Sequence, residues 1–283
     1  MPRNAIWIAV LLLLALPSAS ASVQKIAPDL YAYISENDSS ANSTFLITDK
    51  GILVVDTGLN VQEGRKLLEE IRRISPLPVR WIVNTHYHPD HRGGNSVVGP
   101  DAVIITTGFT RDQVLRAGTR PPEDRPTQIV VKGELKFFPA GHEVRIYHPG
   151  PAHTLGDLVV YFPDQHAIAT GDLFLTNSCP AMDDGDLKNW VRALDQILAL
   201  PLEHVVPGHF ELATKKELRH FRDYLAELRD QVDRMYSKGF KLPQVQQGLQ
   251  LAQYNDLRQF PKYEATFADN AAAYYGQLQH KAR

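Results

Sequence analysis

From Ile26 to about Thr170 the chain alternates short apolar runs with turn formers such as Asp49, Gly51, Gly133 and Gly141. Runs of this length, bounded in this way, predict β-strands. They fall at Leu30–Ser35, Thr44–Thr48, Ile52–Val55, Val79–Val83, Val103–Thr106, Gln128–Val131, Leu135–Phe138, Glu143–Tyr147, Leu158–Phe162 and Ala167–Ala169. Elsewhere the period changes. Asn60 followed by Glu63 predicts a capping box opening a helix whose Leu67, Leu68 and Ile71 share a face. A second helix is predicted from near Asp186, with Leu187, Trp190, Leu194, Ile197 and Leu198 on one stripe and Pro201 as its stop. Thr214 and Glu217 form another capping box ahead of Leu218, Phe221, Leu225, Leu228, Val232 and Met235 at helical spacing, and the stretch from Pro243 also predicts helix. Mixed strands and helices imply either sheet packed on sheet with helices outside or another layered α/β arrangement. Periodicity alone does not choose between them.

The first 21 residues follow a different rule. Arg3, an apolar run from Ala5 to Leu16, the breaker Pro17 and then Ala19-Ser20-Ala21 predict a cleaved signal peptide, with residues 22–283 forming one domain that ends in helices. The apolar run is too short for a stable membrane anchor, and no cysteine follows it to take a lipid. A periplasmic or secreted protein is the expectation.

Composition narrows the function. With 43% hydrophobic and 22% charged residues in 283, the chain has the profile of a globular protein rather than a disordered or fibrous one. Lys+Arg 30 against Asp+Glu 32 gives no electrostatic reason to expect a nucleic-acid partner. The one cysteine, Cys179, excludes an internal disulfide and a thiolate cluster, and reads as a small buried apolar residue. Histidine, at 11 residues, is the informative count.

Directly after the run Trp81-Ile82-Val83 comes Asn84-Thr85-His86-Tyr87-His88-Pro89-Asp90-His91-Arg92-Gly93-Gly94. In extended backbone, residues two apart project to the same side, so His86 and His88 present imidazoles to one point while the turn at Pro89 swings Asp90 and His91 towards a neighbouring point. That is too many ligands for one metal and enough for two. Imidazole and carboxylate suit Zn²⁺. His153, Asp172 and His209 each follow a β-rich run and a glycine-containing turn. Any one of them alone is an ordinary turn residue; the shared pattern joins them to the first cluster, making seven.

His86-x-His88-x-Asp90-His91, with His153, Asp172 and His209 downstream and Val54-Val55-Asp56-Thr57-Gly58 upstream, resembles the metallo-β-lactamase superfamily. The resemblance runs from about Leu30 to His209 and implies an α+β fold, a four-layer αββα sandwich with metals at one edge of the two sheets. It implies two zinc ions per chain, the first held by His86, His88 and His153, the second by Asp90, His91 and His209, with Asp172 bridging and Asp56 supporting the ligand loop from behind. The chemistry so implied is hydrolysis by hydroxide from a metal-bound water with a pKa near ~7, one metal polarising the substrate carbonyl and Asp90 orienting the nucleophile as catalytic proton acceptor.

The pattern departs from the β-lactamases that carry a Cys ligand to the second metal, because Asp172 stands where that Cys would be and Leu175 where a substrate-binding Lys would be. The expected substrate is a small molecule with a cyclic amide, ester or thioester, a β-lactam-like compound or a lactone. The alternatives are an iron-dependent redox enzyme of the same fold and a periplasmic accessory protein of a quinoprotein or sulfur-oxidation system; a nuclease ranks below both. Phe109–Arg125 and Phe174–Asp186 are expected to form the rim of the site, with Arg111, Arg116, Arg120 and Arg125 reading as a solvated basic face.

Overall fold

The computed structural model describes residues 22–117, 127–257 and 266–281. One sheet is built in chain order from β1 (Ser22–Ala27), β2 (Leu30–Ile34), β3 (Ser43–Thr48), β4 (Gly51–Val55), β5 (Val79–Val83), β6 (Val103–Thr107) and β7 (Ile129–Val131). The other comprises β8 (Glu134–Phe137), β9 (Val144–Tyr147), β10 (Val159–Phe162), β11 (Ala167–Ala169) and β12 (His204–Val206), again neighbours in sequence order. The helices are α1 (Val61–Ile74), α2 (Pro89–Arg92), α3 (Asn95–Val98), α4 (Gly108–Arg116), α5 (Leu187–Leu198), α6 (Lys215–Ser237), α7 (Leu242–Gly248) and α8 (Phe267–Lys281).

The period-2 alternation of the strands sorts the core into three seams. Leu53 and Val55 of β4, Val83 of β5 and Ile105 of β6 meet Ile146, Val160, Phe162 and Ala169 of the second sheet. The intervening residues Ile52, Val54, Ile82 and Ile104 face outward and are covered by Leu67 and Ile71 of α1 and Val98 of α3. On the far side, Val159, Tyr161, Ile168 and Val205 turn away from the sandwich to meet Trp190 and Leu194 of α5 and Phe221 and Leu225 of α6. Helix, sheet, sheet and helix therefore stack as the αββα sandwich expected from the sequence. Each fully buried Leu, Ile or Phe along these seams is worth about 1.5–3 kcal/mol relative to exposure.

The strand order positions the site. β4, β5, β6 and β7 run parallel, as do β11 and β12 in the other sheet. The carboxyl ends of β4, β5, β11 and β12 lead directly into the segments that carry Asp56, His86, Asp172 and His209. Ligand sites in α/β sheets lie outside such ends.

Local details differ from the expectation in four places. β1 is missing from the predicted strands because its Gln24 and Lys25 are exposed and polar on a sheet edge, and the short β12 ahead of His209 is a further strand beyond those predicted. The Asn60 side chain caps α1 by accepting from Gln62 and Glu63 backbone N–H groups, but the Glu63 carboxylate turns to Lys66 at 3.1 Å. The full reciprocal box occurs at Thr214 and Glu217. The segment from Phe174 is a rim only at its end: Phe174, Leu175, Cys179 and Met182 sit in the core beneath α5 and α6, leaving Asp183 and Asp184 at the surface. The other rim segment opens with α4, on which Arg111 and Arg116 are exposed, while Arg120 and Arg125 lie outside the described residues.

Candidate metal centre

The structure brings the seven residues together in two adjacent groups, His86, His88, His153 and Asp172 in one and Asp90, His91 and His209 in the other, each with its ligand atoms within 4.8 Å of one another. In the first, His86 Nε2 and His153 Nε2 approach His88 Nδ1 at 3.0 and 3.2 Å. In the second, His209 Nε2 lies 3.2 Å and His91 Nε2 3.8 Å from Asp90 Oδ2. Asp172 stands between them. Its Oδ2 is 3.6 Å from His153 Nε2, whereas its Oδ1 is 3.2 Å from His91 Nε2 and 3.5 Å from His209 Nε2.

Each side chain reaches the centre for a local reason. His86 ends the extended stretch after β5, and Leu158 N–H donates to Thr85 C=O at 2.7 Å, tying this loop to the second sheet. His153 sits in the β9–β10 connection, where Thr154 donates to buried Asp157 from its backbone N–H at 2.9 Å and its hydroxyl at 2.6 Å. Asp172 and His209 come from two loops that touch through their glycines. Gly208 N–H donates to Gly171 C=O at 3.0 Å, and a Cβ on Gly208 would fall 2.0 Å from Asp172 Oδ1, so no larger residue fits behind the carboxylate. Phe210, next to His209, has φ +70, a strained conformation for a bulky residue. Asn42 holds it there: its Nδ2 donates to Pro207 and Phe210 carbonyls at 3.2 and 2.7 Å.

Asp56 lies behind the second group. Its Oδ2 is 2.7 Å from His91 Nδ1 and accepts from the Thr85 hydroxyl at 2.7 Å, while its Oδ1 accepts from Thr85 N–H at 2.8 Å. This bond fixes the tautomer of His91 and turns Nε2 into the centre. Two supports escaped the sequence reading. Asp184 Oδ2 faces His88 Nε2 at 3.3 Å and accepts from the Tyr87 hydroxyl, placing a carboxylate behind His88 much as Asp56 stands behind His91. Asn42 is the other. The signal for Asp184 was faint, one of three acids, Asp183, Asp184 and Asp186, in a turn before α5, and for Asn42 there was none.

Burial sets the charge state. It holds His86 well below the ordinary imidazole value, helped by His91 and His153, and pushes His153 down to about 4. His91 goes the other way: burial opposes its charge, yet Asp172, Asp56 and Asp90 together raise it well above the ordinary value. Asp90 and Asp172, which burial alone would push up, are held below the usual carboxylate range chiefly by His91. The residues fit a metal. His91 Nε2 is a buried atom without a well-formed hydrogen bond, and the imidazole nitrogens of His86, His88 and His153, crowded to within 3.0–3.2 Å of His88 Nδ1, satisfy each other poorly without a cation.

A fold of this topology with this donor set defines a class, and the comparison with known families states it directly. The profile described as the metallo-beta-lactamase superfamily matches residues 37–209, and the chain belongs to that superfamily. Its two His/Asp groups could hold metal. Among curated relatives it is 25% identical to a linear primary-alkylsulfatase of Pseudomonas sp. (strain ATCC 19151) across 83% of this chain, spanning about half (53%) of that protein. It is 24% identical to a metallo-beta-lactamase type 2 of Elizabethkingia meningoseptica, across 72% of this chain and 85% of that one. Among solved structures, the stereoselective inverting sec-alkylsulfatase of Pseudomonas sp. shares the fold with a TM-score of 0.74 at 17% identity, covering 91% of this chain and 50% of that chain.

Proposed function

We propose that this protein is an exported dinuclear zinc hydrolase that cleaves an ester bond, carboxylic or sulfuric, in a small molecule. One observation carries the dinuclear reading: the two oxygens of Asp172 face different histidine sets, Oδ2 towards His153 and Oδ1 towards His91 and His209. Under this proposal His86, His88 and His153 hold the first zinc, Asp90, His91 and His209 the second, and Asp172 bridges. Zinc bound there supplies Lewis acidity and brings the pKa of bound water from 15.7 to about 7. Asp90, 16% exposed where the other second-group side chains are closed, is placed to orient the attacking water and take its proton. Asp56 and Asp184 keep the imidazoles aligned.

A lactone or an alkyl sulfate fits this reading better than a β-lactam does. Leu175 stands where a carboxylate-binding Lys would be and is 1% exposed, so it makes no contact with substrate. The alkylsulfatase relative also covers more of this chain than the β-lactamase relative does. Export follows from the leader-like first 21 residues; among the described residues no helix is long and apolar enough to cross a membrane. The test is metal analysis of protein purified without added metal, paired with hydrolysis of an alkyl sulfate, a lactone and nitrocefin with and without a chelator. Two zinc per chain and chelator-sensitive ester cleavage are expected; one iron per chain with no hydrolysis overturns the proposal.

A further inference from the structure

The candidate ligands are not equally enclosed. His86, His91, His153, Asp172 and His209 are at most 4% exposed, whereas the side chains of His88 and Asp90 are 26% and 16% exposed, so the centre opens to solvent past these two. Beside His88, next to the Asp184 carboxylate, stand two aromatic rings. The Tyr87 ring packs edge-on against His88 at 4.6 Å between centroids and against Phe109 at 6.1 Å. The Tyr87 hydroxyl donates to Asp184, which satisfies its polar atom. Phe109 in turn lies against the backbone of Gly156, where a Cβ would come within 2.8 Å of its ring.

Next to Gly156 and two residues beyond His153, Leu155 is 48% exposed. Its neighbours leave it no choice. Thr154 is fully buried and bonded to Asp157, and Gly156 is closed in by Thr107 and Phe109, so the loop is pinned on both sides of an outward-facing leucine. Apolar surface held rigidly in water on the loop that carries His153, next to the Gly156 against which Phe109 packs, is a feature of binding surfaces.

We propose that Tyr87, Phe109 and Leu155 form a shelf that receives an alkyl chain of the substrate while its ester group sits at the metal centre. This deepens the zinc-hydrolase reading and rests on it. The shelf makes the substrate amphiphilic: a polar group at the metals, and a chain lying along the His88 side of the mouth. Each methylene it buries tightens binding about fourfold.

The test uses zinc-loaded protein and two metal-binding probes, acetohydroxamate and octanohydroxamate, titrated by calorimetry with zinc content measured in parallel. Octanohydroxamate is expected to bind about 60-fold more tightly or better, the effect of three or more buried methylenes. Acetohydroxamate, which has no chain to reach the shelf, should bind wild type and Leu155→Ser alike, while the variant loses at least about tenfold of the long-chain advantage. Equal affinities for the two probes in wild type, or a long-chain advantage that survives Leu155→Ser, overturns the shelf and leaves the hydrolase reading standing. Failure to retain zinc or to bind either probe overturns the hydrolase reading, and the shelf with it.

Discussion

The two halves of the metal centre reach the same purpose by opposite means. His86 and His153 are kept neutral by burial, so their lone pairs are ready for a cation as the protein folds. His91 sits among three carboxylates that favour its charged form, so the second half holds a proton where a metal would sit, and loading it must expel that proton. Their supports differ too. Asp56 is 2% exposed and bonded three ways behind His91, whereas the side chain of Asp184 behind His88 is 49% exposed. A buried carboxylate serves both folding and ligand geometry; an exposed one serves ligand geometry alone.

Four experiments break or sharpen that contrast. Asp172→Ala should erase it, since one side chain completes both halves: zinc content should fall below two per chain and turnover by about 10³-fold or more, the scale of losing a central electrostatic group. Elemental analysis and steady-state rates measure this, and an unchanged stoichiometry would sink the bridging role. Asp56→Ala should cost about 3–5 kcal/mol of stability in the metal-free protein, because it strands the favoured imidazolium of His91 and the Thr85 donors in the interior. Denaturant titration reads the loss directly. Asp184→Asn should leave the denaturation midpoint within error and weaken zinc binding by about 10–100-fold, on the first site only. Competition with a chromophoric chelator separates the sites; an equal loss at both would show that the halves are not independently supported.

The fourth experiment concerns Asp157, beneath the His153 loop, whose carboxyl burial pushes up to about 7 against the bonds from Thr154. The native state therefore keeps this proton over a range in which the unfolded chain, with an Asp pKa of about 3.9, has lost it. Its contribution is most favourable below pH 4 and declines as pH rises to about 7, by on the order of 4 kcal/mol in total. The stability of Asp157→Asn relative to wild type should accordingly rise between pH 5 and pH 8. A difference independent of pH would show that Asp157 is ionised in the folded protein throughout.

How much was legible beforehand varied with the range of the interactions. The His86–His91 cluster was readable because neighbouring residues in extended chain and tight turn have fixed directions. The layers were readable because period 2 and period 3.6 each assign a buried face, as Leu53 against Val54 and Trp190 with Leu194 illustrate. Asp184 and Asn42 were not, since each acts on a residue remote in sequence through one contact that leaves no periodic trace. The stretch from Phe174 to Met182 misled for a related reason: its turn formers point to surface, and only the docking of α5 and α6 buries it.

The amino-acid order by itself determined the strand and helix faces and the two metal-facing directions of the histidine turn, because these follow from backbone geometry within a few residues. Tertiary structure alone decided that His153, Asp172 and His209 meet that turn, that the carboxylates around His91 reverse the protonation preference that burial imposes on His86, and that Leu155 is left facing water. Those outcomes depend on distances between elements far apart in the chain, and such distances are set only when the two sheets pack.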